Sequence, residues 1–245
     1  MCRHLAYLGP RTPVGALLVD PPHGLVAQAR EPRWQEHGSQ NPDGYGVAWW
    51  ATDADTPCRH RSTTCIWRDP RLSTVADHRA GAVVAAARLA SPGSPVDVTG
   101  NAPFVAGSYA WSLNGIVDGW HDGVGDAVRA RVTPARRAGI EGVTDGEALF
   151  ALALDDLDRG ARPEDAVADV IAAVDAHTTG RLNIVLSDGR HVAASARGNS
   201  LFARRVEGSC LLASEPLDDD DAWERVADGT VVAGDASGLT ASMRL

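Results

Sequence analysis

Alternating and helical patterns divide the chain into three stretches. Residues 2–9 alternate polar and apolar positions and stop at Gly9-Pro10, which predicts a first strand. Residues 46–50 predict another, entered through the turn Asn41-Pro42-Asp43-Gly44. The Ala- and Val-rich run over 81–89 has the continuity of a buried strand. Residues 109–113 lead into Asn114-Gly115, a pair that favours tight turns. The period then changes. Ala148, Leu149, Leu152, Ala153 and Leu157 recur at helical spacing, with Thr144 as N-cap and Glu147 completing a capping box. Pro163 opens a second helix to about His177, with Val167, Val170, Ile171 and Val174 on one face. Strands return over 182–186, 191–196, 201–205, 210–213, 230–233 and 239–244, with Asp188-Gly189 as a hairpin turn. Strands, two central helices, then more strands predict an α+β fold with antiparallel sheets, not a βαβ repeat. No repeat of 20–50 residues is visible.

Composition narrows the function classes. No linker divides the 245 residues, so a single domain over 1–245 is expected. The net charge of −9 argues against nucleic acid or an anionic membrane surface as partner, since both require basic patches. The arginines between Arg129 and Arg137, and the acidic run 218–221, read as solvated surface. No apolar run approaches the ~18–20 residues of a membrane span, and the N-terminus has no secretory pattern. A cytoplasmic protein is expected. The four cysteines, Cys2, Cys58, Cys65 and Cys210, should then be free thiols. Cys58, His60 and Cys65 fit no zinc spacing, so no metal is expected.

Cys2 carries the sharpest chemical signal. Removal of Met1 would give one residue a thiol and a free α-amine. That amine has an ordinary pKa of about 7.7–8.0, so nucleophile and base would share a residue. Alone, Cys2 is equally a small residue of a buried strand. Other positions also have ordinary explanations when read singly. Asn114-Gly115 and Asp43-Gly44 suit turns, Arg88 suits a snorkelling surface cation, and Asp145 suits a first-turn helix acid.

Their joint order is more specific. Cys2, then Asn41-Pro42-Asp43-Gly44-Tyr45-Gly46, Arg88-Leu89-Ala90-Ser91-Pro92-Gly93, Asn101-Ala102-Pro103-Phe104, Leu113-Asn114-Gly115-Ile116-Val117 and Thr144-Asp145-Gly146-Glu147 follow in sequence. Leu182-Asn183-Ile184, Asp188-Gly189 and Ala213-Ser214-Glu215-Pro216 come later. In this order the chain resembles the class II (N-terminal nucleophile) glutamine amidotransferases over nearly its whole length. The resemblance implies a four-layer αββα sandwich of the N-terminal nucleophile hydrolase type, with two facing antiparallel sheets and Cys2 at the end of a central strand. It implies Cys2 as nucleophile with its α-amine as base. The side-chain NH₂ of Asn114 and the backbone N–H of Gly115 would form the oxyanion hole. Arg88 would hold a glutamyl α-carboxylate, Asp145 the α-ammonium, and Ser91 would support that pocket. No metal or organic cofactor is implied. Within the class the chain resembles the small stand-alone members, the ergothioneine-pathway γ-glutamyl hydrolases among them, through Cys2-Arg3-His4, His37-Gly38, Ala102-Pro103-Phe104 and Ser214-Glu215-Pro216. Leu113 and Ala102 depart from the family, where many members carry His.

The implied reaction is hydrolysis of a γ-glutamyl amide. The expected substrate is γ-glutamyl-hercynylcysteine sulfoxide, giving glutamate and hercynylcysteine sulfoxide. A glutaminase subunit feeding ammonia to a separate synthase, and a non-catalytic glutamyl-binding relative, are the alternatives. A homo-oligomer is left open. Trp34, Trp49, Trp50, Trp111 and Trp120 are candidates for stacking on an imidazole or trimethylammonium group, or for buried packing.

The α-amine mechanism has a direct consequence. Active protein should begin at Cys2 by intact mass, and full activity in protein that retains Met1 would exclude the amine as base.

Overall fold

The computed structural model describes residues 2–52, 54–206 and 208–245. β1 (Arg3–Pro13) leads to helices α1 (Gly15–Leu18) and α2 (Leu25–Arg30), then β2 (Tyr45–Trp49), β3 (Cys58–Ser62), α3 (Leu72–Ala76), β4 (Arg79–Ala87), β5 (Phe104–Ala106) and β6 (Tyr109–Val117). Helices α4 (Gly125–Arg131), α5 (Pro134–Arg137), α6 (Asp145–Asp158) and α7 (Pro163–Asp175) follow. The chain ends with β7 (Gly180–Ser187), β8 (His191–Ala196), β9 (Phe202–Val206), β10 (Ser209–Ala213), β11 (Trp223–Arg225), β12 (Thr230–Asp235) and β13 (Gly238–Arg244). One sheet has the order β11-β9-β10-β1-β4-β2-β3, the other β13-β12-β8-β7-β6-β5. Every pairing is antiparallel.

Strand alternation builds the layers. On β1, Leu5 and Tyr7 pack with Leu17, Leu18 and Leu25 of α1 and α2. Ala6 and Leu8 point the other way and pack with Ala110, Val185 and Ala194 of the second sheet. That sheet turns Trp111, Leu113 and Val117 outward onto Leu149, Leu152, Val167 and Ile171 of α6 and α7. The result is helices, sheet, sheet, helices: the four-layer αββα sandwich. Among the described residues, no helix is long and apolar enough to cross a membrane.

Several local expectations are corrected. Asn114-Gly115 is not a turn. It lies within β6, opposite Asn183 and Leu182 of β7, because tertiary strand pairing overrides the local turn preference. β1 does not stop at Gly9-Pro10 but continues to Pro13. Its register shifts between Leu8 and Thr12, an irregularity that tolerates a proline without a donor. The capping box at α6 is half formed. Thr144 Oγ1 accepts from Glu147 N–H at 3.4 Å, whereas the Glu147 carboxylate accepts from Glu141 and Gly142 at 2.9 and 2.6 Å. It therefore pins the loop before the helix.

The acidic run is more than solvated surface. Asp218 accepts from Trp223 Nε1 at 2.8 Å, Asp219 from Arg33 at 3.2 Å and Asp220 from Arg204 at 2.6 Å. Arg129 and Arg136 are likewise engaged. Arg129 lies 4.7 Å above the Trp120 ring, and Arg136 donates to Asp155 at 3.0 Å.

Candidate active site

Strand register brings the site together at one end of the sandwich. Arg3 and Tyr45 both pair with Ala87 of β4. Cys2 therefore stands beside Arg88, the first residue past that strand. β6 passes on the facing sheet, and α6 begins nearby. Cys2, Arg88, Ser91, Gly115 and Asp145 line one cavity. Asn114 is fully buried and touches this group through Cys2, whose N–H donates to Asn114 Oδ1 at 3.1 Å. The Cys2 Sγ lies 4.0 Å from the Leu89 carbonyl.

Asn114 is held at three points besides its strand pairing. Its Oδ1 takes the Cys2 N–H, its Nδ2 donates to Ser214 Oγ at 3.3 Å, and its carbonyl accepts from Asn199 Nδ2 at 2.8 Å. The hydroxyl of Ser214 also accepts from His4 N–H at 3.0 Å. One Nδ2 hydrogen of Asn114 is thus committed to Ser214, which leaves the second for a ligand.

The backbone of Gly115 follows from the ladder. Its partner Leu182 sends its N–H to the Arg197 carbonyl, away from β6. Opposed residues of an antiparallel pair point their backbone groups together or apart, so the Gly115 N–H also points away from β7. A side chain here is excluded: a Cβ on Gly115 would lie 1.7 Å from the Arg181 carbonyl oxygen.

Arg88 is only 6% exposed, which corrects its reading as a snorkelling surface cation. Its guanidinium donates to the Pro95 carbonyl at 3.0 Å, Asn101 Oδ1 at 3.4 Å and the Asp97 carbonyl at 3.5 Å. These acceptors are neutral, and among the described residues Arg88 makes no ion pair; the nearby Asp97 carboxylate, engaged by Thr99 and Gly100, is the charge that faces it from behind. A buried guanidinium of this kind can receive a carboxylate, which it grips in two places. The motif around Asn41 supplies the support. Asp43 N–H donates to the Arg88 carbonyl at 2.9 Å, Arg88 N–H to the Gly44 carbonyl at 2.8 Å, and Asp43 Oδ2 accepts from Ala90 N–H at 2.8 Å. Gly44 has φ +113, and a Cβ there would lie 2.3 Å from both Asn101 Nδ2 and the Ser62 carbonyl oxygen. Only glycine fits this position.

Asp145 opens α6. Its Oδ2 accepts from Val117 N–H at 2.9 Å and its Oδ1 from its neighbour Gly146 N–H at 2.8 Å. Burial raises its pKa above the usual carboxylate value, against the opposing pull of those backbone donors. A cation in the cavity would relieve that penalty. Arg88 and Asp145 therefore offer one positive and one negative group to the same space, as the head of a free α-amino acid requires.

Leu113 and Ala102 also line the cavity. A Cβ on Gly146 would sit 3.4 Å from that of Leu113, so Leu113 acts as apolar wall against the start of α6. Four of the tryptophan candidates are packing residues: Trp49, Trp50, Trp111 and Trp120 are buried. Trp34 is exposed and contacts Phe202 edge-on. Asn101, which orients Arg88, is expected from the sequence only as part of its motif and without a role of its own, and Asn199, which holds Asn114, is not singled out there.

No protein-family model matches the chain. The gamma-glutamyl-hercynylcysteine sulfoxide hydrolase of Mycobacterium tuberculosis (strain CDC 1551 / Oshkosh) is 37% identical over 242 residues, covering 98% of this chain and 95% of that protein. The protein of the same name from Mycolicibacterium smegmatis is 34% identical over 234 residues, 95% of each. The chain belongs to the class II glutamine amidotransferase family. A solved glutamine aminotransferase class-II domain protein from Silicibacter pomeroyi superposes with a TM-score of 0.72 at 25% identity, over 99% of both chains. These relatives bear out the expectation of an amidohydrolase. In this class II amidotransferase, the five cavity residues and Asn114 named from the sequence stand together, while the sheet pairings set their spacing.

Binding should depend on both charges. Cys2→Ala is expected to keep glutamate affinity, and Arg88→Met to lose it by at least about tenfold, one charge-assisted contact. Because the Asp145 pKa is raised, the affinity of Cys2→Ala for glutamate should fall as pH drops through a value above the ordinary ~3.9 of an aspartate. Calorimetry across pH checks both, and pH-independent binding down to that ordinary value would exclude Asp145 from the head-group contact.

Proposed function

We propose that the enzyme hydrolyses γ-glutamyl-hercynylcysteine sulfoxide to glutamate and hercynylcysteine sulfoxide through a thioester on Cys2. The observation that carries this reading is the cavity shared by Cys2, Arg88, Gly115 and Asp145. Near-full-length similarity to hydrolases named for that substrate supports the choice of amide.

In the proposed reaction Arg88 holds the α-carboxylate and Asp145 the α-ammonium, with Ser91 beside them. This places the γ-carbonyl at Cys2. The α-amine of Cys2, freed by removal of Met1 and held by Asn114 Oδ1, takes the thiol proton. The thiolate attacks the γ-carbonyl carbon, and the oxygen gains negative charge. The second Nδ2 hydrogen of Asn114 and the N–H of Gly115 receive that charge. Fixed donors of this kind are each worth roughly 3–4 kcal/mol in the transition state. Collapse breaks the C–N bond, and the α-ammonium passes its proton to the leaving amine. Water, deprotonated by the same amine, then cleaves the thioester, and glutamate departs with the thiol regenerated. The residues in named roles supply every proton transfer, so no metal or organic cofactor enters the scheme. The reaction needs a reduced thiol, which favours a reducing compartment such as the cytoplasm. The chain acts as one catalytic domain.

Two measurements test this reading. Asn114→Ala should lower kcat by about 10²–10³ with a much smaller rise in KM, because the donor acts mainly in the transition state. An unchanged kcat would remove Asn114 from the oxyanion hole. Comparison of kcat/KM for glutamine, a γ-glutamyl dipeptide and γ-glutamyl-hercynylcysteine sulfoxide should rank the last highest, since remote binding energy orients the scissile bond. Glutamine equal or best would make the protein a glutaminase instead.

A further inference from the structure

Two charged residues lie buried behind the nucleophile, and the proposed chemistry uses neither. Arg3 and Glu215 are both fully buried and pair at 3.0 Å through Arg3 Nη1 and Glu215 Oε1. A buried ion pair is a poor source of stability, because desolvation offsets its attraction, and apolar replacements of similar volume are often neutral. Its remaining contacts suggest what else it does. Arg3 Nε donates to the Cys2 carbonyl at 2.7 Å. Glu215 Oε2 accepts the Arg33 N–H at 2.8 Å, and the Glu215 carbonyl accepts from Gln28 Nε2 at 3.1 Å.

We infer that Arg3 and Glu215 are positioning residues that fix the backbone of Cys2 for attack, an inference that rests on the Cys2 thioester reading. A residue at a chain terminus frays unless it is tied down. Cys2 is tied on both sides of its Cα. Its nitrogen is held by Asn114 Oδ1 at 3.1 Å and its carbonyl by Arg3 Nε at 2.7 Å. With both flanks fixed, the thiol position depends on a single side-chain rotation.

Glu215 extends the hold to the opposite wall. Through Arg33 it anchors the segment that follows α2. That segment carries Gln35, which receives Asn41 Nδ2 at 3.0 Å, and Gly38, where a Cβ would lie 2.5 Å from Leu89 Cδ2. Leu89 is the residue whose carbonyl faces the thiol. One buried pair thus sets Cys2 and braces the wall beside it. Displacement of a reacting group by 1 Å can cost ~10²-fold in rate, which is the scale of the effect expected here.

The test separates positioning from stability. Arg3→Lys keeps the charge for Glu215 but loses the planar fork that serves both partners. The double variant Arg3→Met/Glu215→Leu removes the ion pair without leaving a lone buried charge. Both are expected to melt within a few degrees of the parent, yet to lose about 10²-fold in kcat with KM changed by less than about threefold. Alkylation of Cys2 by iodoacetamide, followed by mass spectrometry, should slow about tenfold in both, because the amine no longer meets the thiol. If the double variant does not fold, Arg3→Lys alone decides. Parental kcat in a folded variant overturns the inference, and so does a loss confined to KM. If the parent protein turns over no γ-glutamyl compound, the proposed function fails, and the alkylation rate then decides the positioning role: unchanged alkylation overturns it.

Discussion

The amide nitrogen of Cys2 on one sheet reaches the side chain of Asn114 on the other, and the site is organised around this 3.1 Å contact. It joins residues 112 positions apart in sequence. It exists only because the two sheets face each other in one register. β1 lies between β10 and β4, and β6 between β5 and β7. A one-residue slip in either sheet would turn His4, Ala6 and Leu8, or Ser112 and Asn114, to the opposite face. The apolar alternation that fills three separate core layers therefore also fixes where the thiol stands.

The inter-sheet core changes character along its length. Away from the site it holds Ala6, Ala82, Ala110, Val185 and Ala194. Toward Cys2 it becomes polar, with His4, Ser112, Asn114, Asn183 and Ser214 all fully buried. Burial of polar groups is costly unless they are paired, and here most are. Asn183 Oδ1 accepts from Arg197 and Asn199 N–H at 2.9 and 3.1 Å, and its Nδ2 donates to the carbonyls of Asn199 and Ser200. On the helix-facing side of the same sheet, Ser195 Oγ donates to the Leu182 carbonyl at 2.6 Å. His4 contacts Ser112 Oγ at 3.2 Å, and burial lowers its pKa to about 3. It stays neutral at working pH. This polar end supports one asparagine, itself the link to Cys2.

The periodic elements were legible in the sequence because burial imposed their period. α6 begins at Asp145 and α7 at Pro163, where cap and proline placed them, and the later strands fall where alternation put them. The short elements were not. β3, β5, β11 and the brief helices α1 to α5 have too few residues to show a period, and their pairing partners are distant in sequence. Asn114-Gly115 misled as a turn because its strand conformation is imposed by β7. At the site, Cys2, Arg88, Ser91, Gly115 and Asp145 were named from motif order and do share a cavity. The residues that hold them in place were not assigned that part: Asn101 behind Arg88 stood in a named motif without a role, and Asn199 behind Asn114 carries no spacing signal. Their contribution depends on a contact that only the folded chain makes.

The central claim is that Cys2 becomes acylated during turnover. Rapid acid quench of the enzyme with a γ-glutamyl substrate, followed by peptide mass spectrometry, tests it without reference to rate or specificity. The account predicts a γ-glutamyl adduct on the peptide that begins at Cys2, labile to hydroxylamine as a thioester is. Turnover with no adduct there, or with an adduct on Cys58, Cys65 or Cys210, would contradict it.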